Sequence, residues 1–434
     1  MCLLIAVTAA SSASAQAVPD SAAVTQWLNK NAIRLSSVEA GHGFADLDRL
    51  APALAGVRIV GLGEATHGTR QFFQMKHRML EFLVKRMGFT VFAIEASYPA
   101  ANTVNEYVLE GRGDRAKVLA GLGFWTWDTE EVSAMIDWMR RYNETAPGGH
   151  KVQFLGYDMQ AMEKSYKVID DYLDRVSPSY RPTADAALAS IHVDRSVLSA
   201  LPLDSVERRL AGMYQFIGYL EFNRPRFVQA TSDSAFATAL LHARVLVQGA
   251  FIDQPNSAGR DYYMAENIHS LLDAQPAGTK MVVWAHNGHI KADSVAGYVT
   301  MGNYLRHWYG PKYFPLGFTF GNGGFQSRDL RQTPPHLAAF TAGAPPPGTI
   351  DWYFSQPGIS PGYVTTFRAA PQSGPVRKWL DTSHDMRSVG SGFNADSGFK
   401  SQDFMEQVTL AKAYDGIIYV AHTSRARPTP TGVR

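Results

Sequence analysis

Six short apolar runs, spaced by longer amphipathic stretches, constrain this chain more than any other feature. They occupy 57–64, 90–95, 152–158, 281–286, 314–320 and 416–420. Nearly unbroken apolar character marks strands covered on both faces. Strands alternating with helices imply a mostly parallel sheet. The expected fold is therefore α/β: a mainly parallel central sheet flanked by helices. Residues 160–275 show several amphipathic helical patterns, broken near Pro178, Pro202 and Pro225, and no strand pattern. They read as a helical insertion forming one side of a cleft. One or two helices are expected over 22–50, and a long Pro- and Gly-rich loop over 333–362.

The runs share a second property. Glu64 closes the first, with His67 just beyond; Glu95 closes the second and Asp158 the third. The fourth leads into His286-Asn287-Gly288-His289, and His422 follows the last. Ligands of open parallel sheets bind off the carboxyl ends of the strands. The topology thus gathers residues that are hundreds of positions apart along one edge.

Composition narrows the class. Of the 434 residues, 45% are hydrophobic and 18% charged, which excludes a disordered chain. With a net charge of +2 and no basic run of five or more, nothing marks a nucleic-acid surface, and no nucleic-acid partner is expected. No apolar stretch is long enough for a transmembrane helix. Residues 1–17 form an uncharged, small-residue apolar run with Ala-rich cleavage options, read as a signal peptide for export to the periplasm or medium. Cys2, the one cysteine, would leave with it, and the mature chain would then have no thiol nucleophile, disulfide or Cys-bound zinc.

The densest motif is Gly61-Leu62-Gly63-Glu64-Ala65-Thr66-His67-Gly68, placed between a strand and a helix over 68–87 that stops at Gly88. Glycines permit close backbone approach, and a helix N-terminus favours an anion. A dinucleotide reading fails. The third glycine position holds Thr66, Glu64 would face a pyrophosphate, and Glu95 stands 34 residues after Gly61 rather than about 20. Lys76 lies on the apolar stripe of the helix and needs a partner, Glu64 or Glu95, or a route to water. His286 and His289 suit either zinc, with Glu64, Glu95 and His67, or metal-free proton transfer. Trp125 and Trp127 fit a substrate wall or helix packing equally.

A serine nucleophile has no good candidate. The one G-x-S-x-G match, Gly358–Gly362, places Pro361 where the oxyanion-hole N–H is needed, and no helix pattern follows. Direct attack by water is favoured.

The segments 61–97, 127–143, 260–268, 281–290 and 414–428 together resemble the erythromycin esterase family. The resemblance spans nearly the whole mature chain and implies one catalytic domain over 22–434, with the helical insertion 160–275 inside it. It implies an active site of Glu64, His67, Lys76, Glu95, His286 and His289, with His67 as general base on water and no metal or other cofactor. Gln71 stands where that family pattern leads us to expect an acid. The implied reaction is hydrolysis of an ester such as a macrolide lactone, with a small molecule as partner. His67 is oriented by Glu64 or Glu95. His289 and Lys76, and His286 if it does not orient the others, stabilise the oxyanion. Trp125, Trp127 and Asp158 are assigned to the substrate side. Two alternatives stand beside this: a metal-dependent hydrolase using the same cluster, and an exported polysaccharide-binding or biosynthesis protein, since some family members are assigned to succinoglycan synthesis.

Overall fold

A computed structural model describes residues 20–253, 257–295, 297–400 and 402–430. The expected export segment 1–17, with Cys2, lies outside the described residues. A ten-stranded sheet organises the chain. Its strands are β1 (Ile33–Arg34), β2 (Ile59–Leu62), β3 (Val91–Ser97), β4 (Gln153–Asp158), β5 (Met281–Trp284), β6 (Tyr313–Asp329), β7 (His336–Ala342), β8 (Gly362–Thr366), β9 (Gly392–Phe393) and β10 (Gly416–Thr423). The order across the sheet is β1-β8-β10-β6-β2-β5-β3-β4, with β7 and β9 paired to β6. The run from β10 to β4 is parallel throughout and corresponds to the six apolar segments. The strands β8 and β1 add an antiparallel edge.

Alternation within each strand explains why both faces are apolar. In β5, Val282 and Trp284 enter one core with Phe72, Phe73 and Leu80 of the helix Arg70–Met87. Met281 and Val283 enter the opposite core with Met264 and Ile268 of the helix Arg260–Asp273. A residue period of 2 thus feeds two helical layers from one strand. The helix Arg70–Met87 ends where Gly88 takes φ 72°, with its N–H donating back to Leu83.

Helices within 163–251 build a core of their own from residues such as Leu173, Leu210, Met213, Phe216 and Leu246. The last helix of the expected insertion, Arg260–Asp273, belongs instead to the sheet, because its apolar stripe faces β4 and β5. The expected loop at 333–362 is a second departure. It contains β7, which folds back antiparallel on the extension of β6, and the short helix Ile350–Ser355. β7 is Ala-rich and has one fully buried residue, so it lacks the apolar signature of the buried strands.

Among the described residues no helix is long and apolar enough to cross a membrane.

Candidate active site

The insertion of β5 between β2 and β3 brings the parts of the site together. It places the His286 turn between Glu64, just past β2, and Glu95 on β3. The turn is stitched in place by Asn287. Its backbone N–H donates to the Glu64 carbonyl at 2.9 Å. Its side chain both donates to the Phe318 carbonyl at 2.8 Å and accepts from the Phe318 N–H at 3.0 Å. That amide occupies the space a side chain at position 63 would need: a Cβ on Gly63 would sit 2.1 Å from Asn287 Oδ1. Gly68 is constrained likewise, with a Cβ meeting the Gln326 carbonyl at 2.2 Å.

Glu64 is wholly buried and fully engaged. Its Oε1 lies 2.6 Å from His67 Nδ1. Its Oε2 accepts from Lys76 Nζ at 2.6 Å and from Trp284 Nε1 at 2.9 Å. Lys76 is also wholly buried and stands 4.1 Å over the Trp284 ring. Burial pushes the Lys76 ammonium down to about 8, against the pull of Glu64. Because the carboxylate accepts a hydrogen bond from the Nδ1–H of His67, the other ring nitrogen, Nε2, carries the free lone pair. The His67 side chain reaches the surface, 13% exposed.

The His286 ring lies 5.0 Å from that of His67. Its Nδ1 accepts the Gly288 N–H at 3.2 Å, which assigns the proton to Nε2. That buried Nε2 has no hydrogen-bond partner among the described residues. Burial, with His67 and His289 nearby, holds the His286 pKa well below the usual histidine value, so the ring is a neutral donor.

Glu95 anchors the far side. One oxygen accepts the His286 N–H at 3.0 Å; the other accepts from Arg260 Nη2 at 2.8 Å. Burial opposes the charge on Glu95, but His289, Arg260 and His67 outweigh it and hold the carboxyl below the ordinary range. Arg260 also pairs with both oxygens of Asp158, at 2.8 and 3.2 Å. His289 completes the group, with Nδ1 3.0 Å from each Asp261 oxygen. Burial works against a proton on His289; Asp261 and Glu95 outweigh it and raise its pKa.

The family model described as erythromycin esterase matches residues 84–423, more than half of the chain. The chain belongs to the erythromycin esterase family. It is 23% identical to the erythromycin esterase type II of Escherichia coli, over 92% of this chain and 97% of that one. Its fold is similar to a crystal structure of a Bacillus cereus protein, with a TM-score of 0.83 and 23% identity over 94% of this chain and 99% of that one. It is also similar to an erythromycin esterase mutant in its open conformation, with a TM-score of 0.66 and 19% identity over 90% of this chain and 96% of that one. As a member of this family the chain is a hydrolase.

The matched span includes Glu95, His286 and His289 but begins after His67 and Lys76. The structure connects all six expected residues through direct contacts, yet their placements differ. Lys76 is sealed behind Glu64, with no surface open to solvent and its ammonium paired with that carboxylate. Asp158 is wholly buried and committed to Arg260, so it does not face a substrate. Trp127 packs edge-on to His67 at 6.4 Å and against Trp284 at 5.6 Å. Trp125 is buried in the same turn and, among the described residues, makes no hydrogen bond or ring contact with the cluster. His422 stands apart, exposed and bonded to Asn322 at 2.8 Å. Gln71 holds the Ser424 backbone N–H at 2.7 Å and so ties the start of its helix to the C-terminal segment.

Arg260 and Asp261 escape the sequence reading. A charged pair opening a helix after Gly259 reads as a solvated N-terminus. The available signal was Asp158 itself, a carboxylate ending a buried strand and requiring a cation. Among the described residues, no group of three or more His, Cys, Asp or Glu side chains is arranged to hold a metal.

Proposed function

We propose that this chain hydrolyses an ester, the lactone of a macrolide, by metal-free attack of water activated by His67. The observation that carries the reading is the chain Lys76–Glu64–His67, with 2.6 Å contacts at both of its joints. It fixes the imidazole so that Nε2 takes the proton from water as the water oxygen bonds to the carbonyl carbon. Such positioned proton transfer contributes about 10²–10⁴-fold. The tetrahedral oxyanion takes the free Nε2–H of His286, a donor of the kind worth roughly 3 kcal/mol. On collapse the ester C–O bond breaks and the leaving alkoxide recovers the proton from His67. Glu95, Arg260 and His289 hold the His286 turn, and Trp127 walls the His67 side.

The carboxylate oxygens of Glu64 and Glu95 and both nitrogens of His289 are occupied by protein partners, which supports a reaction without a metal. The macrolide reading rests on family membership and on the relative named as an erythromycin esterase. The apolar run at 1–17 supports export. Mass spectrometry of a panel of macrolides, simple lactones and linear esters tests the proposal. The expected result is gain of one water by a macrolide. A panel in which no compound gains water overturns it.

A further inference from the structure

Asp261 makes more contacts than a helix-start carboxylate needs. It is 2% exposed and is the second residue of the helix Arg260–Asp273. Both oxygens face His289 Nδ1; Oδ1 also accepts the Met301 N–H at 2.7 Å, and Oδ2 accepts the hydroxyl of Tyr298. Tyr298 is 50% exposed, so this series of contacts starts at the surface. On the other side of the ring, His289 Nε2 lies 3.1 Å from Arg260 Nη1 and 3.4 Å from Glu95 Oε1. A neutral His289 accepts from the guanidinium there; a protonated one donates to Glu95. Glu95 in turn holds the His286 N–H.

We propose that Asp261 and Tyr298 form a positioning pair that fixes the ring orientation and tautomer of His289 and, through Arg260 and Glu95, the His286 turn. The catalytic part of this rests on the hydrolase reading above; the part concerning His289 does not. The tautomer of a histidine is set by the bond its other nitrogen makes. Here the Asp261 anion demands a proton on Nδ1 in both protonation states, so only Nε2 changes role. The charged and titratable groups facing His289 are Asp261, Glu95 and Arg260, with Tyr298 behind Asp261, Asp158 behind Arg260, and His286 beside them. The two carboxylates that face the ring outnumber the one guanidinium, which favours a proton on it. Asp261→Asn removes one of those anions while keeping an oxygen for the Met301 N–H. Tyr298→Phe leaves the Asp261 charge less neutralised.

The two variants therefore move His289 in opposite directions. Nitrogen-15 histidine NMR of the full chain, with the signal assigned by His289→Asn, reads both. The expected result is about a tenfold fall in the proton affinity of His289 in Asp261→Asn, with loss of its fixed tautomer, and a rise in Tyr298→Phe. Shifts of the same sign, or unchanged spectra, overturn the proposal. If Asp261→Asn fails to fold, Tyr298→Phe at its half-exposed site decides alone: a rise supports the pair and no change overturns it. For any ester the wild type hydrolyses, Asp261→Asn lowers kcat by up to about a hundredfold with little change in KM. An unchanged kcat in a folded variant whose His289 signal has moved overturns the catalytic link. If no ester is turned over, the hydrolase reading has failed, and the NMR result still decides the positioning claim.

Discussion

Lys76 and Glu64 form an ion pair 2.6 Å long with neither side chain open to solvent. Two charges out of water are costly to keep apart, so the pair is a single unit: removing one partner leaves the other buried and uncompensated. Lys76→Met should lower unfolding free energy by about 3–5 kcal/mol in denaturant titration. Adding Glu64→Gln, which removes the uncompensated charge but keeps an acceptor for the Trp284 Nε1–H, should recover part of that stability without restoring activity. An unchanged unfolding midpoint in Lys76→Met would show that the pair is not coupled.

Gly63 tests how closely the two histidine turns are keyed. A methyl group there meets Asn287 Oδ1, which is held by two bonds to the Phe318 backbone and cannot swing aside freely. Gly63→Ala is expected to cost about 1–3 kcal/mol of stability. It should also displace the His286 turn enough to cut activity sharply. Wild-type kinetics in this variant would mean that the turn tolerates movement.

His242 ties the helical insertion to the sheet layer and sets an acid limit on stability. Its Nδ1–H donates to Ser165 Oγ at 3.0 Å, and its Nε2 accepts from Asn102 Nδ2 at 3.2 Å. A protonated ring would point a donor at that amide. Burial holds the His242 pKa at about 4, below the ordinary 6.5. Between those values the unfolded chain binds a proton that the folded chain refuses, so stability falls as pH drops from 6.5 towards 4. At pH 5 the loss is about 2 kcal/mol relative to pH 7. His242→Gln should lose about that much less than wild type over the same interval; equal losses would remove His242 from the account.

Chelation tests the metal-free reading. Dialysis against a strong chelator should leave the hydrolytic rate unchanged. Loss of activity restored by Zn²⁺ or Mn²⁺ would instead assign the cluster to a metal.

How far the sequence carried the fold depended on burial. Each of the six parallel strands is apolar because helices cover both of its faces, and each is visible as a run. β1 has two residues, and β7 is Ala-rich and only partly buried, so neither leaves a pattern. In the site, Glu64, His67, Glu95, His286 and His289 stand out because polar groups at the ends of buried strands are conspicuous. Arg260 and Asp261 do not, because their burial is created by packing against β4 and the His289 turn rather than by neighbours in sequence. The position of Lys76 on an apolar stripe was legible, but its placement behind Glu64 was not, since only the fold sets that carboxylate between it and His67.

The most direct measurement is kcat of His67→Ala against wild type on whichever ester or lactone the wild type opens, with folding verified by circular dichroism. The account predicts a folded variant whose kcat falls by at least about a hundredfold. A folded variant that turns over within tenfold of wild type would contradict it, because water would then be activated by some other group.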